Sequence, residues 1–535
     1  MKKKQLALIL TYLLGVCLFF PGCQKRELKP NFILITLDTQ RADFISAYSR
    51  DNASTPNIDS LAEKGLLYEN CFSLIPITLP SHASLFFSQP PHAVKNYNNG
   101  QVIMNLRKRP SFVNIFKKKG FLTSAFVSLS VLSANYGLGE GFDFYQDDFP
   151  KERWYLTAEE VNHRVFPWLE QNKDQKFFLW IHYSDPHGPY LPPDSPPDLK
   201  ISLDNQLIGE YFLTQPDKLE LNLNIEKGNT LLELEVRNEF ARGEREFQAK
   251  FDIFDFTLES KPRDVKIQFQ KGWSIQKQKR VFLCQKRAYV KLHSESPSSS
   301  VKLTFRGELI LPLEGTRELY KREVEYMDKE IGKLWAKLRE LKILKKTCIL
   351  MVGDHGEGLG DKKGYLGNWH IGHIHFLYNV YLKVPLIIYN PYSPEKAVRR
   401  KVPVTLLDMA PTIMGIMGFK QLPSFRGRNL LSLKKEEVTI FEETYKPEAF
   451  MDVFALLKFP WHLILTPEKR KYELYDLLKD PEEKENIYQE KTLTQEAMNL
   501  KQRLDSFVLS ISKGKKEIKI DDKTKEMLRA LGYIK

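Results

Sequence analysis

Three uninterrupted apolar runs, separated by long stretches of chain, limit the folds that these 535 residues can adopt. The runs have the length of β-strands and span residues 31–37 (NFILITL), 177–181 (FFLWI) and 348–352 (CILMV). Continuous rather than alternating apolar residues are typical of strands that are buried on both faces. We therefore predict an α/β fold with a mostly parallel sheet flanked by helices. One of these helices is predicted around residues 320–341, where apolar residues recur at helical spacing.

Each apolar run ends in acidic or imidazole side chains. Asp38 follows the first run, His182 the second, and Asp354 and His355 come shortly after the third. Ligands of parallel sheets bind beyond the carboxyl ends of the strands, so we expect these residues to meet although Asp38 and Asp354 lie more than 300 positions apart. Carboxylate oxygens and imidazole nitrogens are suitable ligands for Ca²⁺, Mg²⁺, Mn²⁺ or Zn²⁺. The sequence therefore predicts a site for a divalent metal.

The segment from Ile77 to His82 (ITLPSH) supplies a candidate nucleophile. Pro80 is typical of the first turn of a helix, where free backbone amides and the helix dipole favour an anion. Thr78 would stand at that positive end. A hydroxyl beside a dication and a helix terminus can lose its proton and attack a tetrahedral centre. The alternative is that Thr78 only caps the helix.

Between about residues 199 and 311 the pattern of apolar residues changes. Residues 219–225 and 232–236 alternate between apolar and polar around Gly228 and Asn229, which is typical of antiparallel strands joined by a turn. We predict an inserted antiparallel β-sandwich with a structural role. The expected units are a signal (1–23), a catalytic core in two parts (30–198 and 312–435), the insertion (199–311), a small C-terminal α+β subdomain (436–512) and a charged tail (513–535).

The first 23 residues are typical of an export signal. A basic start is followed by an apolar stretch, residues 5–20, that is shorter than the roughly 20 residues of a membrane-spanning helix. The stretch closes on Gly22 and Cys23, which resembles a bacterial lipoprotein signal, so Cys23 is expected to carry lipid. A plain cleaved signal and an uncleaved anchor are the alternatives. All three predict export to the bacterial cell envelope; lipid on Cys23 would anchor the protein in the periplasm or at the outer surface.

The net charge of +13 is spread along the chain and is not concentrated in a basic arm with interleaved aromatic residues. Nucleic acid is therefore not an expected partner. A diffuse positive charge favours association with anionic lipids or anionic substrates. The oligomeric state stays open at this point.

Nine segments together resemble the sulfatase family of the alkaline phosphatase superfamily, and they occur in the family's order. The segments are 31–43 (NFILITLDTQRAD), 55–72 (TPNIDSLAEKGLLYENCF), 78–85 (TLPSHASL), 185–190 (DPHGPY), 323–334, 353–360 (GDHGEGLG), 383–389 (KVPLIIY), 408–412 (DMAPT) and 473–486 (ELYDLLKDPEEKEN). The resemblance covers nearly all of the chain outside the signal, the insertion and the tail. It implies an alkaline-phosphatase-like fold and a hydrolase of ester bonds that acts on an anionic substrate.

The resemblance also implies roles for individual residues. Thr78 would occupy the position of the nucleophile and, with Asp38, Asp354 and His355, would bind a divalent metal. That metal is calcium by analogy with the family, with manganese, magnesium and zinc as alternatives. The histidines expected around the substrate are His187 and His373 as leaving-group or substrate contacts, and His82 and His182 as further substrate-binding residues. We expect one metal; a second would need ligands from among His182, Asp185, His187, His370, His373 and His375.

Two positions depart from the family pattern. Thr39 replaces the second residue of a paired Asp, and residues 78–82 read T-L-P-S-H where sulfate-cleaving members have C-x-P-S-R. Those enzymes convert the cysteine, or sometimes a serine, to formylglycine, and threonine cannot form that aldehyde by the known route. A threonine is similar instead to the nucleophile of phosphodiesterases in the same superfamily, where the hydroxyl forms a covalent phospho-enzyme. We therefore predict hydrolysis of phosphate or phosphonate esters. The alternatives are a sulfatase without formylglycine, a phospho-group transferase acting on envelope lipids or glycans, and a non-catalytic binding member.

Overall fold

A computed structural model describes most of the chain between residues 30 and 512. The described residues are 30–103, 106, 110–150, 153–188, 190–193, 199–211, 217–236, 250–261, 263–276, 280–283, 287–310, 313–365, 367–433, 438–446, 451–489 and 493–512. The predicted signal with Cys23 and the charged tail lie outside these residues. In the part of the chain so described, no helix combines the length and the apolar character needed to cross a membrane.

Strands and helices alternate in the core, whereas the insertion is built from strands. The described strands are β1 (Asn31–Leu37), β2 (Leu66–Phe72), β3 (Leu122–Phe126), β4 (Phe144–Gln146), β5 (Phe177–Tyr183), β6 (Leu199–Leu203), β7 (Gln206–Tyr211), β8 (Asp217–Val236), β9 (Lys250–Lys261), β10 (Lys266–Phe269), β11 (Trp273–Gln276), β12 (Arg280–Leu283), β13 (Arg287–Ile310), β14 (Thr347–Gly353), β15 (Gly358–Lys363), β16 (Trp369–Gly372), β17 (Lys383–Tyr389), β18 (Val398–Arg400), β19 (Val404–Thr405), β20 (Ile440–Thr444), β21 (Val453–Lys458), β22 (Trp461–Thr466) and β23 (Lys471–Asp476). The described α-helices are α1 (Pro56–Ala62), α2 (Thr78–Phe87), α3 (Pro91–Val94), α4 (Phe112–Lys118), α5 (Ala158–Asn172), α6 (Leu313–Glu340), α7 (Asn379–Leu382), α8 (Met409–Ile416) and α9 (Gln495–Ser512).

The predicted sheet lies at the centre of the core. Its strand order is β18-β2-β17-β14-β1-β5-β3-β4, and β19 also pairs with β2. β1 is parallel to its neighbours β14 and β5, and β3 is parallel to β5 and β4. β17 is antiparallel to both β14 and β2. The prediction of a mostly parallel sheet is confirmed, and the three apolar runs form its adjacent strands β14, β1 and β5.

Helices cover both faces of this sheet. Along β1, Phe32 and Leu34 pack in one apolar cluster, which includes residues of α2, α4 and α8. Ile33 and Ile35, on the other face, pack in a second cluster with residues of α1, α5 and α6. The strand is apolar at successive positions because each of its faces is buried under a helical layer. The helix predicted around residues 320–341 is α6, and it is docked on the sheet.

The insertion is antiparallel, as predicted, but hydrogen bonds join all its described strands into one sheet. Its order is β11-β12-β9-β13-β8-β6-β7, with β10 paired to β13. Both halves of the long strands β8 and β13 contribute to a single apolar cluster, which includes Leu221, Leu234, Leu292 and Leu303. The insertion therefore encloses its core between the two halves of one bent sheet.

The prediction of a turn at Gly228 and Asn229 is wrong. Both residues lie within β8, which runs through them and pairs with β13 on either side. Gly228 has a φ of 115°, a conformation that glycine adopts readily, and the pairing shifts register between Ser294 and Ser298 on β13. An irregularity of this kind bends a strand without ending it. The alternation of apolar residues changes phase here because the strand bends.

The C-terminal subdomain is α+β, as predicted. Strands β20 to β23 form an antiparallel sheet in sequential order. Ala497, Leu500 and Leu504 of α9 pack against one face of this sheet. The other face packs against the segment that carries α7. This contact joins the subdomain to the core.

A buried histidine in this subdomain makes its stability depend on pH. His462 contacts Glu483 through Nδ1 at 2.6 Å and Glu442 through Nε2 at 2.9 Å. Burial alone would lower the pKa of His462, but the charges of both carboxylates and their hydrogen bonds raise it to about 10. The unfolded chain has a histidine pKa of about 6.5. The stabilisation is therefore complete below about pH 6.5 and is lost as the pH rises through about 10.

We expect the advantage in melting temperature of the wild type over His462→Gln to shrink steadily between about pH 7 and pH 10. The underlying loss is up to about 1.4 kcal/mol per pH unit. Thermal unfolding across that pH range measures it. His293→Gln is the matched control, because His293 contacts the Asn229 amide instead of a carboxylate. An advantage that stays constant with pH would contradict a protonated His462.

Candidate active site

Strand pairing brings the first and third predicted ligand sets together. Leu37, the last residue of β1, pairs with Gly353, the last residue of β14. Asp38 and Asp354 come next in their chains and are fully buried at the carboxyl edge of the sheet. The Asp354 amide donates to the Leu37 carbonyl at 3.3 Å. The predicted meeting of Asp38 and Asp354 is confirmed.

The loop after β1 is tightly held. Thr39 has a φ of 51°, an unusual conformation for a β-branched residue, which indicates a constraint from its surroundings. Its amide donates to Asp354 Oδ1 at 3.1 Å, and its carbonyl accepts from the Tyr320 hydroxyl at 2.7 Å. The Thr39 hydroxyl donates to the Asp38 carbonyl at 2.8 Å. In place of a second carboxylate, this position therefore supplies backbone contacts that orient Asp354.

Asp38, Asp354 and His355 form a group with the donor set of a metal site. One ligand atom from each lies within 4.8 Å of the others, and all three side chains are buried. Within the described residues, Asp38 Oδ1 and Asp354 Oδ2 have no hydrogen-bond partner. Two buried carboxylates with unpaired oxygens are costly without a cation, so the residues present fit a divalent metal.

The pKa values of the two carboxylates also indicate that a cation would stabilise this group. Burial, and then the charge of Asp38, raise the pKa of Asp354 well above its usual range. Burial would also raise the pKa of Asp38, but the hydrogen bond from His182 and the nearby histidine charges hold it below its usual range. A bound dication would favour the charged form of both groups.

Thr78 lies beside this group. It is the first residue of α2, and its Oγ1 is 3.3 Å from His355 Nε2. The His355 Nδ1–H donates to the Gly356 carbonyl at 3.0 Å, because a carbonyl can only accept. Nε2 of the neutral ring therefore presents its lone pair to the hydroxyl and to the metal site. Burial, together with the His373 charge, lowers the pKa of His355 to about 3, which favours this neutral form.

His82 and His182 are both buried next to the carboxylates. The His82 Nδ1–H donates to the Thr78 carbonyl at 2.8 Å, one helical turn earlier, and Nε2 has no partner within the described residues. His182 lies inside β5 rather than beyond its end, and its Nε2 is 3.1 Å from Asp38 Oδ2. Its Nδ1 contacts the Ser128 hydroxyl at 2.7 Å. The structure therefore places His182 where it orients Asp38.

His187 and His373 extend the site on the other side of His355. The ring centroid of His373 is 4.5 Å from that of His355 and 5.2 Å from that of His187. His373 Nδ1 is 3.0 Å from Oε2 of Glu357, a buried carboxyl that our sequence reasoning did not identify as a site residue. Glu357 lies inside the segment 353–360, but nothing in the local sequence pattern distinguishes it from an exposed glutamate. Its position against His373 follows only from the folded chain.

The remaining candidates for a second metal site do not form a group of three ligands within the described residues. His370 Nδ1 contacts the Tyr381 hydroxyl at 2.9 Å, and its Nε2 lies 3.3 Å from His375 Nδ1. Asp185 Oδ1 accepts from the Ala158 amide at 2.8 Å. Across the described ranges, the group of Asp38, Asp354 and His355 is the one in which three or more such side chains could hold a metal.

Gly356 sets the position of His355. A Cβ at Gly356 would lie 2.1 Å from the Val380 carbonyl oxygen. We expect Gly356→Ala to lower the free energy of unfolding by about 1–3 kcal/mol and to reduce turnover, because relief of this clash moves His355. Thermal unfolding and steady-state kinetics measure both effects. Gly364→Ala is the control, since its nearest atom would be the Asn368 side-chain oxygen at 3.3 Å; equal behaviour of the two variants would contradict the prediction.

Comparisons with known proteins identify the family of this chain. The sulfatase family model matches residues 30–419, and a model of the C-terminal region of N-sulphoglucosamine sulphohydrolase matches residues 367–509. A mostly parallel sheet with flanking helices and a buried Asp, Asp, His group at its carboxyl edge is an alkaline-phosphatase-like hydrolase core. The chain belongs to the sulfatase family and is a hydrolase of ester bonds.

The relatives are distant in sequence but extend over most of the chain. N-acetylglucosamine-6-O-sulfatase of Bacteroides thetaiotaomicron is 22% identical, and the alignment covers 90% of this chain and 87% of that enzyme. Arylsulfatase of Clostridium perfringens is 22% identical, with 86% and 90% covered. The structure of the protein BT4656 in complex with its substrate D-glucosamine-2-N,6-O-disulfate has a TM-score of 0.60 at 15% identity. The match covers 91% of this chain and 99% of BT4656. The phosphonate monoester hydrolase of Agrobacterium radiobacter has a TM-score of 0.57 at 14% identity, with 91% and 96% covered.

Proposed function

We propose that this protein is a metal-dependent hydrolase of phosphate or phosphonate esters that uses Thr78 as its nucleophile. The observation that carries the proposal is the position of the Thr78 hydroxyl, 3.3 Å from His355 Nε2 and at the first turn of α2. Asp38, Asp354 and His355 would hold the metal together with Thr78. A divalent cation there would lower the pKa of the hydroxyl and stabilise negative charge on the substrate.

The reaction is a double displacement at phosphorus. The Thr78 oxygen forms a bond to phosphorus while the bond from phosphorus to the leaving oxygen breaks. The hydroxyl proton passes through the neighbouring imidazoles to the leaving oxygen, with His187 and His373 as its contacts. Water then attacks the phosphorus of the Thr78 ester, and the bond from phosphorus to the Thr78 oxygen breaks. A proton from the water passes to that oxygen, which restores the hydroxyl and releases phosphate or phosphonate. The Thr78 oxygen lies at the start of α2, where the helix dipole favours the negative charge that develops in both steps.

Sulfate esters are the second candidate substrate, and the names of the relatives favour them. Here an unmodified threonine would have to replace formylglycine, and His82 would replace the arginine of the family signature. His82 is buried and its pKa is lowered to about 3, chiefly by burial, so it is a neutral ring and not a permanent cation. A neutral ring cannot supply the fixed positive charge of an arginine. This difference favours phospho-ester chemistry.

The setting of the enzyme is part of the proposal. The signal-like residues 1–23 support export, with lipid on Cys23 as the anchor and the bacterial cell envelope as the location. An envelope glycan or lipid ester is then the natural class of substrate. Calcium is the proposed metal by analogy with the family, and carboxylate oxygens are the ligands that it prefers.

The test is a paired panel of phosphate, phosphonate and sulfate esters that share one leaving group, assayed with purified protein after metal analysis. We expect stoichiometric metal and turnover of phosphate or phosphonate esters. Turnover of sulfate esters alone would overturn the proposal in favour of the second candidate. A metal-free protein without turnover on any ester would support a non-catalytic member.

A further inference from the structure

A small cavity of about 50 Å³ opens beside His187. By volume it has room for about three or four water molecules. Part of its lining is apolar, and the rest carries aromatic, hydroxyl and carboxyl groups. The residues that supply these groups are Tyr155, Thr157, Ser184, Asp185 and Glu323.

Asp185 gives the cavity an unpaired carboxylate oxygen. The side chain is only 9% exposed, and its Oδ1 accepts from the amide of Ala158, the first residue of α5. Its Oδ2 is buried and has no hydrogen-bond partner among the described residues. Burial raises the pKa of Asp185 to about 7, and a nearby cation would lower it. A capping residue needs only one of these two oxygens.

Glu323 of α6 adds a second buried carboxyl to the same cavity, with 4% of its surface exposed. The Tyr155 ring also lines the cavity, and the Arg153 guanidinium lies 5.2 Å from the centroid of that ring. Two buried carboxyls in one small cavity favour a cation over an anion or a neutral apolar group.

The cavity shares a wall with the proposed reaction site. His187 lines the cavity, and its ring lies 5.2 Å from that of His373. The His373 ring lies 4.5 Å from that of His355, which contacts Thr78. His187 therefore lies between the cavity and the histidines that surround Thr78.

We propose that this cavity binds a primary ammonium group on the alcohol part of the substrate, so that the preferred esters are of the 2-aminoethyl type. An ammonium carries three N–H donors, which match Asp185 Oδ2, the Glu323 carboxylate and a hydroxyl of Thr157 or Ser184. The cavity volume suits two carbons and a nitrogen. The inference rests on the proposed function, because it names the substrate class of the same site.

The experiment compares 2-aminoethyl phosphate with n-propyl phosphate, in which a methyl group replaces the ammonium, and the corresponding pair of sulfates. One of these two pairs, the phosphates or the sulfates, is expected to be turned over. Within that pair, we expect kcat/KM of the wild type to be at least about 10-fold higher for the aminoethyl ester than for the propyl ester. Binding of 2-aminoethyl phosphate and n-propyl phosphate to Thr78→Ala is measured by calorimetry, so that the preference is tested without turnover. Glucosamine 6-phosphate and vesicles of phosphatidylethanolamine then separate an amino-sugar source of the ammonium from a lipid source.

Asp185→Asn is the informative variant, because its side-chain oxygen can still accept from the Ala158 amide while the negative charge is lost. We expect it to abolish the preference, mainly through a higher KM for the aminoethyl ester, and to leave the propyl ester within about 2-fold of the wild type. Glu159→Gln is the control, because Glu159 is on the first turn of α5 but is partly exposed and not part of the cavity wall.

The possible failures are distinguishable. Equal kcat/KM and equal binding for the two members of each pair would overturn the ammonium site and leave the proposed function intact. Turnover of sulfates alone would overturn the proposed function, whereas the aminoethyl preference within that pair would still support the cavity assignment. A loss of activity of Asp185→Asn on both esters, with a lowered melting temperature, would assign Asp185 to the capping of α5 alone.

Discussion

Thr78→Ala is expected to lower kcat/KM for phosphate or phosphonate esters by at least about 1,000-fold, because a methyl group cannot form the covalent intermediate. Thr78 is buried and its Oγ1 contacts His355, so the loss of activity would follow from removal of the hydroxyl itself. The measurement is initial-rate kinetics with the ester that the panel selects, together with the melting temperature to verify folding.

Thr78→Ser separates the hydroxyl from the rest of the side chain. It retains the nucleophilic oxygen, so we expect activity within about 10-fold of the wild type. Its mass must be checked, because a serine at this position can be converted to formylglycine. In the wild type, rapid acid quenching should trap a phosphoryl group on the peptide that contains Thr78. Unchanged activity of Thr78→Ala, or trapping on another residue, would exclude Thr78 as the nucleophile.

Removal of the metal is expected to have the second large effect. Chelation should abolish turnover and lower the melting temperature of the wild type, because a ligand present at 100 times its Kd stabilises the folded state by about 2.7 kcal/mol. Asp354→Asn should weaken metal binding by about 100-fold or more, since even residues that only support a ligand contribute 10-fold to 100-fold. Elemental analysis and thermal unfolding with and without chelator measure both effects.

The metal-free state gives a sharper result. Asp38 and Asp354 are buried side by side, and burial together with the charge of Asp38 raises the pKa of Asp354. Asp354→Asn removes a carboxyl whose ionisation is unfavourable without a cation, so the metal-free variant should melt at or above the temperature of the metal-free wild type. Asp51→Asn, at an exposed loop position, is the control and should respond to chelation like the wild type. If chelation does not change the melting temperature of the wild type, the metal site is contradicted.

Much of this site could be predicted because its parts are local patterns. Asp38 and Asp354 each follow a strand that is apolar on both faces, and the parallel pairing of Leu37 with Gly353 then places them together. Thr78 stands at a helix start because Pro80 favours a first turn. These expectations needed only the period of the apolar residues and the rule that ligands gather at the carboxyl edge of a parallel sheet.

Other features could not be predicted, because they depend on contacts between distant segments. Gly228 resembles a turn, yet the pairing of β8 with β13 carries the strand through it. Glu357 resembles any surface acid until the chain brings it to His373. His182 follows an apolar run in the sequence, and only the folded chain brings its Nε2 to 3.1 Å from Asp38 Oδ2.

The amino-acid sequence alone determined the class of fold, the order of the strands along the chain and the chemical types of the reactive side chains, since these follow from hydrophobic period and residue identity. Only the tertiary structure decided which nitrogen of each histidine faces which oxygen, and which carboxylate oxygens stay unpaired. Those choices depend on packing at the sub-ångström to ångström scale between strands and helices that are hundreds of residues apart. The unpaired oxygens of Asp38, Asp354 and Asp185 are therefore features of the folded chain and not of its local sequence.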